Sequence, residues 1–124
     1  MTTRPVLANV GPMREFVGPF EVTSKLTGHV FHVRFSYLWN GIATRHSDTI
    51  DTKFFVDSEI RMVGLAHTAF VAFRERHGRD LTDREASFVA ADYLRERLEE
   101  EDVRPVYDVG HDEVLRLIDQ VGMK

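Results

Sequence analysis

Residues 20–56 read FEVTSKLTGHVFHVRFSYLWNGIATRHSDTIDTKFFV, and the phase of their apolar side chains decides the fold. Two glycine-bearing corners divide the stretch. Thr27-Gly28 separates Phe20–Leu26 from His29–Trp39, and Asn40-Gly41 separates that run from Ile42–Val56. A type I′ hairpin needs φ > 0 at both loop residues, which makes Asn-Gly a strong corner signal. As two-residue loops, the corners set Trp39 against Ile42, Tyr37 against Thr44, Phe35 against His46 and Phe31 against Ile50. Thr27-Gly28 likewise sets Val22 against Val33 and Phe20 against Phe35. Both registers collect Phe20, Val22, Leu26, Phe31, Val33, Phe35, Tyr37, Trp39, Ile42 and Ile50 on one face. Side chains alternate with period two, so a one-residue slip would send the whole set to solvent. Glu21, Thr23, His32, Arg34 and Ser36 fall on the reverse face, which reads as solvated.

Downstream the texture changes. Residues 1–62 hold seven basic and six acidic side chains with eight aromatics, whereas residues 63–124 hold nine basic and fourteen acidic ones and are rich in helix formers. Asp57-Ser58 reads as the end of the strands and the cap of a helix reaching about His77, with Gly78 at C′. Between Ile60 and Phe73 the only formal charge is Arg61. Met62, Val63, Ala66, Ala69, Phe70 and Phe73 form one stripe, with Leu65, Val71 and Ala72 off it. A helix so apolar all round is expected to be buried on several sides. Thr82-x-x-Glu85 is a capping box opening a second helix to about Glu101, with Ala86, Ala90, Tyr93, Leu94 and Leu98 inward and Phe88 outward. Val103–Val109, interrupted by Pro105, reads as an edge strand or extended connector. A short helix from Asp112 to about Val121 would dock through Val114, Leu115, Ile118 and Val121.

The expected fold is a single α+β domain over residues 1–124. An antiparallel meander of three to four strands fills 18–57, and two long helices fill 58–101. An extended segment and a short C-terminal helix fill 103–121, with the helices packed on one face of the sheet. Residues 1–15 carry no readable pattern and are expected to be partly mobile.

Composition narrows the function. Against 20 Asp+Glu stand 16 Lys+Arg, a net charge of −4. No apolar run approaches the roughly 20 residues that span a bilayer, and the first residues lack a signal-peptide core, so a cytoplasmic protein without a membrane partner is expected. The absence of cysteine removes disulfides, thiolate chemistry and Cys-based zinc sites. The acidic balance argues against a dedicated nucleic-acid binder. So does the expected placement of the aromatics opposite His32, Arg34, Arg45 and Lys53, because single-strand platforms need exposed aromatics.

No Gly-rich phosphate loop, His-Glu-x-x-His, EF-hand loop or Gly-x-Ser-x-Gly is present. His29 and His32 lie three apart on a strand, point to opposite faces and are not expected to share a metal. His46 and Asp48 are expected on the apolar face near Tyr37, Trp39 and Thr44. There they would line a ligand pocket between the sheet and the first helix, with His46 as general base and Asp48 fixing its tautomer. Three structural readings compete: an internal His–Asp hydrogen bond, a bulge at Arg45–Asp48, or a polar rim. His67 edges the apolar stripe of the first helix. His77 suits its C-terminal turn, where a cation is favoured, and His111 suits the start of the last helix. Phe88 is the expected partner contact. The leading expectation is a non-catalytic binding or interaction protein, in a regulatory role or otherwise, acting as a homo-oligomer (a dimer) without cofactor or metal. The alternative is a small-molecule-binding protein or enzyme built on His46 and Asp48.

Overall fold

A computed structural model describes residues 16–40 and 49–122 of the chain, and its tight hairpin forms at Asp57-Ser58. Both residues have positive φ, 51° and 72°, and Val56 pairs directly with Glu59, as a type I′ loop requires. Asp57 suits this position because its carboxylate also closes the corner. It accepts from the His32 backbone N–H at 2.9 Å and lies 2.9 Å from His29 Nε2.

That turn corrects the expected first helix. Glu59–Ala66 is a strand, β4, which pairs along its whole length with β3 (Thr49–Val56). The helix that follows, α1, is short and spans His67–His77, ending on Gly78 in the left-handed region. A continuous apolar run fits a strand buried within a sheet as well as a buried helix, so periodicity alone does not separate them.

The remaining strands are β1 (Phe20–Thr23), β2 (Val30–Asn40) and β5 (Val106–Val109). They complete a five-stranded sheet in the order β1-β2-β3-β4-β5, antiparallel except for β5, which runs parallel to β4. Five strands thus replace the expected three to four. The segment after Pro105 is an edge strand, and the Pro105 carbonyl accepts from the Met62 N–H at 2.9 Å. Helix α2 spans Asp83–Glu99 and α3 spans His111–Gln120. Phe54, Val63, Leu65 and Tyr107 from the sheet meet Phe73, Val89, Leu94 and Leu117 from the three helices in one core.

The strand registers differ from those expected at both corners. Across β1 and β2, Val22 pairs with Phe31 and Phe20 with Val33. This two-residue shift keeps Val22, Phe31 and Val33 in the core but leaves Leu26 71% exposed in the turn. Across β2 and β3, Asn40 pairs with Ile50, so Asn40-Gly41 is not a two-residue loop. Phe35 pairs with Phe54 but Tyr37 with Lys53, which leaves Ser36 as an extra residue. A bulge of this kind reverses the in–out alternation beyond it. Leu38 therefore packs on the core, and Tyr37 turns to the opposite face, 49% exposed.

The start of α2 follows the capping pattern. Thr82 Oγ1 accepts from the Glu85 N–H at 3.1 Å, and Glu85 Oε1 accepts from the Thr82 N–H at 2.9 Å. Arg79 adds two parallel hydrogen bonds to the same carboxylate, 2.9 Å each. The Arg79 guanidinium is the main cause that pulls the Glu85 carboxyl down to about 2 from an ordinary value of 4.5. A folded-state value below the unfolded one means the stabilisation is complete above pH 4.5 and lost as pH falls through about 2. With Arg79 39% exposed and screened by water, about 1–2 kcal/mol is at stake. Urea unfolding of Glu85→Gln across this window is expected to show a flatter acid limb than the parent; an unchanged limb would place the acid sensitivity elsewhere.

Candidate functional site

Helices cover one face of the sheet, and strand alternation decides what the other face carries; among the described residues that face is open around Arg34 and Tyr37 but buried at Thr49, Asp51 and Gly64. Phe54 points into the core, so its neighbours Lys53 and Phe55 point outward. Arg34 stands directly opposite Phe55 on β2, and Tyr37, displaced by the bulge at Ser36, stands opposite Lys53. The four side chains interleave. Arg34 Cζ lies 4.4 Å from the centroid of the Phe55 ring. Lys53 Nζ lies 5.3 Å from the same ring and 5.2 Å from that of Tyr37. Each such contact contributes about 0.5–1 kcal/mol at an exposed site. The result is a ladder, Arg34–Phe55–Lys53–Tyr37, across two central strands. Among the described residues neither Arg34 nor Lys53 has a carboxylate within ion-pair distance.

Below the ladder an open groove of about 890 Å³ passes Glu21, His32, Arg34 and Phe55 to the Asp57-Ser58 turn. Its acids already have partners. Glu21 Oε2 lies 3.2 Å from His32 Nδ1, and Asp57 is held by His29 and by the His32 backbone. Hydrogen bonds from His32 and His29 hold the Asp57 carboxyl below its ordinary value. Exposed Ile60 and Val106 extend the face toward β5.

Above the ladder the chemistry reverses sign. Asp51, Gly64 and Asp108 form one row across β3, β4 and β5. Asp51 is 0% exposed and accepts from Thr49 Oγ1 at 2.7 Å. A Cβ on Gly64 would lie 2.8 Å from Asp51 Oδ1 and 3.4 Å from Asp108 Oδ1, so the two carboxylates converge over the glycine. At the same end of the sheet, β4 runs into α1 and β5 leads through Gly110 into α3, where Thr68 Oγ1 lies 2.8 Å from His111 Nδ1. Among the described residues no group of three or more His, Asp or Glu side chains is arranged to hold a metal ion.

Of the residues expected to line the pocket, Tyr37 alone is fully among the described residues. Tyr37 is on the open face, away from the helices. Trp39 pairs with Asp51 along β2, but its side chain, like Thr44, His46 and Asp48 altogether, lies outside the described residues. Phe88 is half-buried, with Arg84 Cζ 5.2 Å from its ring. His67 stacks on Phe70, and the His77 ring lies 4.4 Å from that of Phe73 at the end of α1. Sequence reasoning overlooked Phe55 as a site residue. Its signal was the pair Phe54-Phe55, since adjacent aromatics on one strand must face opposite ways.

No helix among the described residues is long and apolar enough to cross a membrane. No family model, curated protein or solved structure matches the chain.

Proposed function

We propose that this chain is a non-catalytic binding protein whose ligand surface is the open face of the sheet, and that the ligand is anionic. One observation carries this reading: Arg34 and Lys53 share the Phe55 ring and have no carboxylate partner among the described residues, in a chain with an excess of acids. Other arginines are engaged: Arg79 with Glu85, Arg104 with Asp102, and Arg116 with both Glu96 and Glu113. The rings beneath Arg34 and Lys53 order their stems, which reduces the entropy lost when an anion binds. Charge-assisted hydrogen bonds would then hold that anion.

Titration with inorganic tripolyphosphate, followed by amide NMR, tests the face. Shifts are expected to cluster on Arg34, Tyr37, Lys53 and Phe55 and to vanish in the double variant Arg34→Glu/Lys53→Glu. Shifts centred on the start of α1 or α3 would overturn the assignment. Sedimentation at micromolar concentration separates the ligand from a second copy of the chain. A dimer that dissociates on Tyr37→Glu would give the face to self-association and overturn the ligand reading.

A further inference from the structure

We infer that the anion this face is suited to bind is a single-stranded nucleic acid; this rests on the open-face reading above. Isolated phosphates need only cations. The ladder alternates cations with aromatic surface, which matches a chain whose anionic links alternate with flat bases. Tyr37 is 49% exposed, and a base would stack on the part of its ring that Lys53 and its other contacts leave uncovered. The Arg34 guanidinium, 4.4 Å from the Phe55 centroid, offers a second flat surface, because guanidinium planes also stack on bases. Lys53 lies between these two surfaces, within reach of the link joining the bases. A duplex keeps its bases stacked inside, where an open sheet cannot reach them, whereas platforms of aromatic and basic side chains take single strands.

The acidic balance of the whole chain does not oppose this. Much of the acidic excess lies on α2, α3 and the segment after α2, and Arg34 and Lys53 stand on the sheet face that does not meet the helices. A bound strand would run from Tyr37 across Lys53 and Arg34 into the groove beside His32. Glu21 and Asp57, which also border that groove, are held by His32 and His29.

The test is fluorescence anisotropy of a labelled oligothymidylate of about 12 nucleotides, within the usual site-size range. A dissociation constant of about 10⁻⁴–10⁻⁶ M is expected, typical of binding without sequence preference. Two phosphate contacts give a slope of about −1.4 in log K against log salt, and Lys53→Ala should bring it to about −0.7. Tyr37→Ala is expected to weaken binding at least fivefold with the slope unchanged, and Tyr37→Phe to retain it. The same-length duplex and inorganic polyphosphate are expected to bind more weakly. If polyphosphate competes as well as the oligonucleotide while the amide shifts still fall on the ladder, the anion face stands and the nucleic-acid inference falls. Preference for duplex, an unaffected Tyr37→Ala, or no saturable binding would also overturn it. Circular dichroism of each variant separates lost binding from lost folding.

Discussion

Replacing Phe54 by Ala is expected to lower the free energy of unfolding by about 3–5 kcal/mol, the largest effect of any change considered for this chain. The ring is 0% exposed and stands edge-on to Phe35, 5.4 Å between centroids, in the middle of the central strand. Truncation removes the transfer free energy of the ring and leaves a void that the stiff sheet cannot close. In a chain of this size each kcal/mol moves the melting temperature by roughly 3–6 °C, so a drop of at least about 10 °C is expected. The control is the next residue. Phe55 lies half-buried under Arg34 on the open face, so Phe55→Ala is expected to lose far less stability while removing the ladder's central ring. Urea unfolding of the two variants reads the phase of β3 directly. If Phe55→Ala proved the more damaging, the faces would be exchanged and the ladder would not be a surface.

Gly64→Ala gives a test whose sign separates two architectures. On a helix the change would stabilise by about 1 kcal/mol, since glycine is a poor helix former. On β4 the new Cβ would lie 2.8 Å from Asp51 Oδ1, closer than carbon and oxygen normally approach. Asp51 cannot easily retreat, being fully buried and bonded to Thr49 Oγ1 at 2.7 Å. A loss of about 1–3 kcal/mol is therefore expected, as for other overpacked sites. A gain measured by thermal unfolding would restore the helix and remove the carboxylate row.

Legibility in the sequence followed the range of the interaction involved. The capping box at Thr82–Glu85, the terminal glycine at Gly78 and the last helix are fixed by residues three or four apart, and each was readable. So was the burial of Val22, Phe31 and Val33, because a two-residue shift preserves parity. The turn at Asp57-Ser58 was not, since Asp and Ser serve equally as a helix cap and as a corner, and only pairing with β3 selects between them. The candidate site was less legible still. Tyr37 faces outward because Ser36 is an extra residue between Phe35 and Tyr37, and no local pattern marks it.

The chain by itself determined an α+β protein with a capped second helix and a meander whose first strands bury valine and phenylalanine, because those features depend on neighbours along the backbone. The tertiary structure alone decided that 59–66 is a strand, that β5 lies parallel beside it, and that Tyr37 joins Arg34, Lys53 and Phe55 on the open face. Those outcomes depend on which distant backbone supplies the hydrogen-bond partner, and a single bulge in that pairing inverts every side chain beyond it.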